Sequence, residues 1–223
     1  MVFEDANRSH LFDAGEKPLR GVVVSDGKAV TVTNEEGLYH IETKTGRIIF
    51  VSVPGTHHAP GNNFYRSLDG LSEKRQRVDF PLVANADSLD NDTFTFVFAT
   101  DTHTGGLHNA RDGTAKAYRA IAELKPALVI HGGDIILDAL KLSDDALAQR
   151  QYELYKDQLV SLIKSPFYHA LGNHDVFGWL ASPGPDRVSP LYGKKMYEKY
   201  FGPAYYSFDY KHCHFVVLDS IAP

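Results

Sequence analysis

The first part of the chain, up to Pro81, alternates β-branched and polar residues between turn signals. Because successive side chains of a strand point to opposite faces of a sheet, this alternation predicts half-buried strands. Asp-Gly at residues 26–27 and Glu-Gly at residues 36–37 suit the backbone angles of tight hairpins. The predicted strands cover residues 21–25, 29–33, 38–42 and 47–53, and residues 77–83 can add a last strand. We therefore predict a small antiparallel β-sandwich in this part of the chain.

The pattern changes from Thr93 onwards, where short apolar runs alternate with longer amphipathic stretches. Strands are predicted at residues 93–99, 127–130 and 167–171, and helices at residues 114–124 and 144–164. Residues 205–210 and 212–219, joined by a tight turn at Lys211, predict a later strand pair. Alternating strands and helices form a largely parallel sheet that helices cover. The second part of the chain is therefore predicted to be an α/β domain.

The two parts meet in residues 54–92, a stretch rich in Pro, Gly, Asn and Asp. These residue types favour turns over regular elements, and we place the domain boundary within residues 85–92. The predicted domains are an N-terminal β-sandwich at residues 1–88 and an α/β domain at residues 89–223.

Composition limits the possible classes of function. The 223 residues are 43% hydrophobic, which is enough to bury a core and argues against disorder. The formal net charge of -5 gives no reason to expect nucleic-acid binding, and oligomeric state is not indicated. Cys213 is the single cysteine, so neither an intrachain disulfide nor a cysteine-rich zinc site can form. No segment is long enough to span a bilayer. A signal peptide removed earlier would make the protein periplasmic or secreted, with a cytoplasmic location as the alternative.

Three short polar motifs each follow an apolar run that predicts a buried strand. They are Asp101-Thr-His103, Gly132-Gly-Asp134 and Gly172-Asn-His-Asp175. In an open α/β sheet, the loops beyond the carboxyl ends of the strands converge on one crevice. Hard oxygen and borderline nitrogen ligands are the types that hold Mn, Fe or Zn ions. The motifs therefore predict a metal site in that crevice.

These motifs resemble the pattern of the calcineurin-like metallophosphoesterase family, which reads Asp-x-His, then Gly-Asp, then Gly-Asn-His-Asp or Gly-Asn-His-Glu. The match covers residues 93–219. In the first part of the chain, Gly-x-Val, Asp-Gly and Thr-Asn-Glu-Glu-Gly-Leu-Tyr resemble the carboxypeptidase-regulatory-like sandwich that precedes the catalytic domain in some bacterial phosphoesterases. The resemblance implies a four-layered α/β/β/α phosphoesterase domain, of which the chain contains most of the first half.

The resemblance also implies a role for each motif residue. Asp101 and His103 would bind the first metal, Asp134 would bridge both metals, and Asn173 would bind the second. His174 would be the acid, or the group that stabilises the phosphate. Asp175 either accepts the ring hydrogen bond of His174 and so orients it, or caps the segment that follows.

The implied activity is hydrolysis of phosphate monoesters or diesters, with a phosphate-ester substrate as the partner. Two divalent ions, Mn, Fe or Zn, would lower the pKa of a bridging water, and the resulting hydroxide would attack phosphorus. The family takes three further histidines from a later part of its domain, and nothing after Asp219 supplies them. Either the chain is a C-terminally truncated piece, for which we expect weakened metal binding and little activity, or its remaining histidines compensate. The alternative is a cell-envelope binding protein with an incomplete, inactive phosphoesterase domain.

Residues outside the motifs receive simpler predictions. His57 and His58 lie in the loop-rich stretch and are predicted to be surface residues. His131 and His169 flank the motifs on strands and are predicted to be packed or hydrogen bonded. Trp179, in the irregular segment after the third motif, either contacts the substrate or packs against the domain.

Overall fold

The computed structural model of the protein describes residues 1–70, 75–86, 93–105 and 108–221. The chain divides into two compact units. The β-rich unit comprises Met1–Thr93 and Tyr205–Val217, and the α/β unit comprises Phe94–Ala204 and Leu218–Pro223. The predicted boundary between residues 88 and 89 lies outside the described residues.

Strands and helices both occur in the described ranges, and the mixed α/β class is as predicted. The strands are β1 (Val2–Glu4), β2 (Lys17–Pro18), β3 (Val23–Ser25), β4 (Val30–Val32), β5 (Ile48–Val51), β6 (His57–His58), β7 (Tyr65–Ser67), β8 (Phe80–Ala84), β9 (Phe96–Ala99), β10 (Leu128–His131), β11 (Phe167–His169), β12 (Tyr206–Tyr210) and β13 (Cys213–Val217). The α-helices are α1 (His108–Leu124), α2 (Asp145–Leu162) and α3 (Lys195–Phe201). In the part of the chain that is described, no helix combines the length and apolar content needed to cross a bilayer.

The β-rich unit contains two four-stranded sheets. The sheet with strand order β4-β3-β5-β7 is antiparallel throughout, as predicted. The sheet with order β2-β1-β8-β6 contains one parallel pair, β1 with β8. The prediction of antiparallel pairing is therefore wrong for β1 and β8. These strands lie far apart in the sequence, so the long intervening chain can return in the parallel direction.

The hairpin of β12 and β13 is also part of the β-rich unit. The N–H of Asp209 donates to O of Val53 at 2.8 Å, and the N–H of Lys211 donates to O of Gly55 at 2.9 Å. The ring of Phe64 lies 4.9 Å from that of Tyr206 on β12. The strand pair is confirmed at the predicted place in the sequence. It packs against residues of the N-terminal part of the β-rich unit.

The predicted strand at residues 38–42 is wrong, because Asn34 closes a turn in front of it. The N–H of Asn34 donates to O of Leu38 at 2.9 Å, and the N–H of Leu38 donates back to Oδ1 of Asn34 at 2.8 Å. Tyr39 then directs its hydroxyl to O of Val78 at 2.8 Å. The side-chain amide of Asn34 thus accepts the N–H of Leu38 that a neighbouring strand would otherwise accept.

His57 is buried, contrary to the prediction that it lies on the surface. It faces Ala84 across the β6–β8 pair. Its Nδ1 lies 2.7 Å from Oγ1 of Thr56, and its Nε2 lies 3.4 Å from Oε2 of Glu4. Burial is the main cause that lowers the pKa of His57. The Pro- and Gly-rich composition around β6 gave no signal of this two-residue strand.

The α/β unit is built on a parallel three-stranded sheet with order β11-β10-β9, as predicted. Val129 of β10 pairs with Val97 of β9 and with Phe167 of β11. Large aromatic residues fill the core of this unit, among them Tyr118, Tyr152, Tyr155, Phe167 and Phe201. Because β10 is the central strand, the loop that follows it lies between the loops that follow β9 and β11.

Candidate metal centre

Backbone hydrogen bonds hold the first two motif loops side by side beyond the sheet. The N–H of Asp101 donates to O of Gly133 at 3.0 Å, and the N–H of His103 donates to O of Asp134 at 3.1 Å. The N–H of Thr104 donates to O of Ile135 at 2.9 Å. The pairing of β9 and β10 therefore continues through both loops, and it fixes the spacing of their side chains.

Three of the predicted metal ligands adopt a backbone conformation that non-glycine residues rarely use. The φ angles are +56° at Asp101, +44° at His103 and +52° at Asp134. Asp and His tolerate the left-handed region better than most residues. Such conformations cost about 1–3 kcal/mol each and cluster at functional sites. At three motif positions the side chain is therefore held by an uncommon backbone conformation.

Asp101, His103 and Asp134 come together at the carboxyl ends of β9 and β10. One ligand atom from each lies within 4.8 Å of the other two. Asp101 is exposed, and the other two side chains are half-buried. Nε2 of His103 lies 3.8 Å from Oδ1 of Asp101. Ligand atoms bound at about 2.1 Å to one ion lie at most about 4.2 Å apart, so the group is close to the spacing that a shared ion requires.

The third loop is joined to this group through Asp134. Asn173–Asp175 form a single 3₁₀ turn, and the N–H of His174 donates to Oδ1 of Asp134 at 3.0 Å. The ring of His174 meets the ring of His103 edge to face, with centroids 4.9 Å apart. Asn173 is exposed beside His174. The three motif loops therefore lie together, with His174 of the third loop in contact with Asp134 and His103.

Close backbone packing between the second and third loops requires glycine at position 172. A Cβ atom there would lie 2.0 Å from N of Asp134 and 2.2 Å from its Oδ1. Only glycine lets the third loop approach closely enough for the N–H of His174 to reach Asp134.

His174 is oriented by a carbonyl oxygen rather than by Asp175. Its Nδ1 lies 2.8 Å from O of Leu137, and a carbonyl oxygen can only accept, so Nδ1 carries the hydrogen. Oδ1 of Asp138 is 4.0 Å from the same nitrogen. The prediction that Asp175 accepts the ring hydrogen bond of His174 is therefore wrong in this structure. Neither Leu137 nor Asp138 belongs to a motif, and no pattern in the sequence indicates their position.

Asp175 instead links the second loop to the third through hydrogen bonds to its buried carboxylate. Its side chain is fully buried, and Oδ1 accepts the N–H groups of Ile135 at 2.9 Å and Ile136 at 3.2 Å. Oδ2 accepts the N–H of Gly172 at 2.9 Å. Burial raises the pKa of Asp175 to about 7, while these hydrogen bonds act in the opposite direction. The alternative prediction, that Asp175 caps a segment, is closer to this arrangement.

His131 ties the first loop to the second. It is fully buried, as predicted, at the end of β10. Its Nδ1 accepts the N–H of Gly133 at 3.2 Å, and its Nε2 lies 3.0 Å from Oγ1 of Thr102. That hydroxyl in turn donates to O of Ile135 at 2.9 Å, so Nε2 carries the ring hydrogen. Burial lowers the pKa of His131 to about 4, which keeps the ring neutral.

The segment after the third motif packs onto the core of the α/β unit. Val176 and Phe177 are buried, and Phe177 forms a β-bridge with Gly193. Trp179 is partly buried against the same core, and Nζ of Lys194 lies 6.0 Å from its ring centroid. The packing predicted as one alternative for Trp179 is therefore present.

Comparison with known proteins supports the resemblance drawn from the motifs. A family model described as the N terminal of calcineurin-like phosphoesterase matches residues 6–85. The family model described as calcineurin-like phosphoesterase matches residues 94–222, more than half of the chain. A search of curated proteins finds no match. The second match includes every residue of the candidate metal centre, and the chain therefore belongs to the calcineurin-like phosphoesterase family.

Proposed function

We propose that the α/β unit hydrolyses phosphate monoesters or diesters with two divalent metal ions, held by Asp101, His103, Asp134 and Asn173. The observation that carries this proposal is the convergence of Asp101, His103 and Asp134 to within 4.8 Å. Family membership and this group together indicate metal-dependent hydrolysis of phosphate esters. A mixed set of carboxylate, imidazole and amide ligands suits Mn, Fe or Zn.

Asp134 is the carboxylate best suited to contact two ions. It follows the central strand and therefore lies between the loops that carry the other ligands. Oδ1 accepts one N–H group, that of His174. A carboxylate offers about four lone-pair sites, so sites remain on both oxygens. Bound divalent ions would supply Lewis acidity that lowers the pKa of the attacking water and offsets phosphoryl charge.

His174 is positioned to exchange a proton through Nε2. Its Nδ1 hydrogen is bonded to O of Leu137, so Nε2 is the ring nitrogen that can accept or donate a proton. The adjacent Asp138 carboxylate, 4.0 Å from Nδ1, interacts favourably with a protonated ring. A protonated His174 would donate from Nε2 to the leaving alcohol, or would stabilise charge on the phosphoryl oxygens.

The experiment measures hydrolysis of p-nitrophenyl phosphate and of bis-(p-nitrophenyl) phosphate after chelation and after addition of Mn²⁺. Asp101→Asn is the test variant. Asp157→Asn is the matched control, because Asp157 is exposed on the later turns of α2, which lead away from the loops. We expect Mn²⁺-dependent turnover that Asp101→Asn lowers and the control retains. The ester that turns over faster identifies the class.

Equal turnover with and without metal would contradict the proposal. Absence of turnover together with absence of bound metal in the wild type would instead favour the cell-envelope binding protein.

A further inference from the structure

A twelve-residue loop in the β-rich unit carries oxygen donors in a register that the phosphoesterase site does not explain. Residues 5–16 join β1 to β2 and are called here the 5–16 loop. Its first, third, fifth, ninth and twelfth residues are Asp5, Asn7, Ser9, Asp13 and Glu16. The seventh, Leu11, offers its backbone carbonyl. The calcium loops of EF-hands take their ligands from the same six positions, with a carboxylate at the first and a Glu at the last.

Strand pairing closes this loop at its two ends. Glu4 pairs with Lys17 and Phe3 pairs with Pro18 across the antiparallel β1–β2 ladder. The ring of Phe12, the eighth residue of the loop, packs edge to face on Phe3 with centroids 5.3 Å apart. The two ends of the loop are therefore joined, and the partly exposed ring of Phe12 rests on the buried ring of Phe3.

The structure adds an independent indication of a cation, which is the burial of Asp5. Its side chain is fully buried. Oδ1 accepts the N–H of Ser9 at 3.0 Å, and Oδ2 accepts the N–H of His10 at 3.1 Å. The ion-pair contact of Asp5 is with Nδ1 of His10 at 3.7 Å, on a side chain that is 54% exposed. A buried carboxylate with such a weak counter-charge is costly unless a cation balances it.

The remaining donors gather on the same loop. Oγ of Ser9 lies 2.6 Å from Oδ2 of Asp13 and 3.1 Å from O of Leu11. The side-chain amide of Asn7 lies 2.8 Å from the same oxygen of Asp13. Asp13 therefore lies within hydrogen-bond distance of two other proposed donor residues, Asn7 and Ser9.

Glu16 reaches back across the loop. Oε1 accepts the N–H of Ala6 at 3.0 Å, and Oε2 accepts the N–H of Asp13 at 3.0 Å. Both oxygens of the twelfth residue are thus held over the loop, where an EF-hand uses a bidentate Glu.

The loop departs from the standard register at two positions. Ser9 replaces an Asp or Asn at the fifth position and still supplies an oxygen. His10 stands at the sixth position, where glycine permits a sharp turn, and it adopts a φ of +63°. The turn that the register requires is therefore made with a histidine.

We propose that the 5–16 loop binds one calcium ion through Asp5, Asn7, Ser9, Asp13, Glu16 and the carbonyl of Leu11. All six donors are oxygens, which favours a hard cation over the ions expected at the catalytic centre. Calcium accepts six to eight oxygens in flexible geometry, whereas magnesium requires a small, near-octahedral shell. The ion would order the start of the β-rich unit and would take no part in ester hydrolysis.

The test titrates CaCl₂ into the chelator-treated full chain by isothermal calorimetry. Glu16→Gln and Asp13→Asn are the test variants, and Glu36→Gln is the matched control, because Glu36 is an exposed carboxylate of the same unit. The carboxylate of Asp13 accepts hydrogen bonds from the side chains of Asn7 and Ser9. Its substitution therefore leaves the hydrogen bonds between backbone N–H groups and the carboxylates of Asp5 and Glu16 in place. Asp101→Asn reports on calcium that binds at the catalytic centre instead.

We expect one calcium per wild-type chain, with the same affinity in Glu36→Gln and Asp101→Asn. Both loop variants should bind at least about tenfold more weakly, since ligand charge tunes the affinity of such loops. Equimolar Mg²⁺ should not displace the ion. The proposal is overturned if the wild type takes up no calcium at millimolar concentration, if both loop variants bind as the wild type does, or if Asp101→Asn is the variant that loses binding.

Discussion

The backbone N–H of His174 donates a hydrogen bond to Oδ1 of Asp134 across 3.0 Å. Asp134 lies in the second loop and His174 in the third, so this bond joins the proposed proton donor to the carboxylate proposed to contact both ions. Gly172 allows the two loops to approach, and the carboxylate of Asp175 accepts the N–H of Gly172. The proposed metal ligand and the proposed proton donor are therefore held together by one hydrogen bond.

Substitution of His174 by Asn tests its role as a proton donor. Asn keeps the backbone N–H that reaches Asp134 and removes the ring nitrogen. General acid catalysis contributes about 10²–10⁴-fold, and its loss matters most for a leaving group that needs a proton. We expect kcat to fall by at least about 10²-fold for an alkyl phosphate ester and much less for a p-nitrophenyl ester.

The measurement is kcat for both esters at saturating Mn²⁺, with bound metal determined in each sample. Equal losses on the two esters, at unchanged metal content, would count against proton donation by His174.

Asp175 should make the stability of the protein fall as the pH rises from about 4 to 7. Burial raises its pKa from 3.8 to about 7, so in this window the folded protein holds a proton that the unfolded chain has released. Its contribution to the free energy of unfolding is complete below pH 3.8 and is lost as the pH approaches 7, with a slope of at most about 1.4 kcal/mol per pH unit.

Asp175→Asn removes this titration, so the difference in unfolding free energy between wild type and variant should shrink across the same window. Urea unfolding at several pH values in the presence of a chelator measures it. A difference that does not change with pH would show that Asp175 titrates near its ordinary value.

His131 should act in the opposite direction. Burial lowers its pKa from 6.5 to about 4, so between these values the unfolded chain binds a proton that the folded protein does not. Its contribution is present above pH 6.5 and is lost as the pH falls towards 4. His131→Phe removes this pH-dependent contribution to stability. It also removes the hydrogen-bond partners of the Thr102 hydroxyl and of the Gly133 N–H, at a cost of about 1–3 kcal/mol.

The same unfolding series measures the effect of His131→Phe. The advantage of the wild type over the variant should be largest near neutral pH and smaller at pH 4.5. An advantage that grows as the pH falls would contradict a buried, neutral His131.

Gly172→Ala tests the contact between the second and third loops. The added Cβ would overlap N and Oδ1 of Asp134, and overpacking of this kind costs about 1–3 kcal/mol. Gly113→Ala is the matched control, because a Cβ there meets no described heavy atom within 4 Å and the residue lies within α1.

We expect thermal unfolding to show Gly172→Ala destabilised and Gly113→Ala stabilised by about 0.5–1 kcal/mol, the difference between Ala and Gly within a helix. Equal effects of the two substitutions would mean that the loops are not in close contact.

The α/β unit was predictable because its signals are local and repeated. Each strand is a short apolar run followed by a polar motif, and in the second and third motifs a glycine marks a sharp turn. Parallel order then requires the motifs to meet at one edge. The partner of the His174 ring was not predictable, because O of Leu137 is a backbone group and any residue type could supply it.

The β-rich unit was less predictable because its strands are short and several of its contacts are distant in sequence. The parallel pairing of Val2 with Phe80 is not reflected in the periodic pattern of apolar residues along the sequence. The turn at Asn34 interrupts an alternating pattern that would otherwise suit a strand. In both cases hydrogen bonding, rather than hydrophobic period, decides the structure.

The most direct test of the central claim titrates Mn²⁺ back into the metal-free full chain while turnover and bound metal are recorded together, for wild type, Asp134→Asn and Asp157→Asn. Asn at position 134 still accepts the N–H of His174 but lacks the charge for two ions. We expect wild type and Asp157→Asn to gain turnover as metal binds, and Asp134→Asn to bind less metal and lose on the order of 10³-fold in turnover, equivalent to about 4 kcal/mol. Unchanged turnover in Asp134→Asn at full metal occupancy would contradict the claim that this centre performs the hydrolysis.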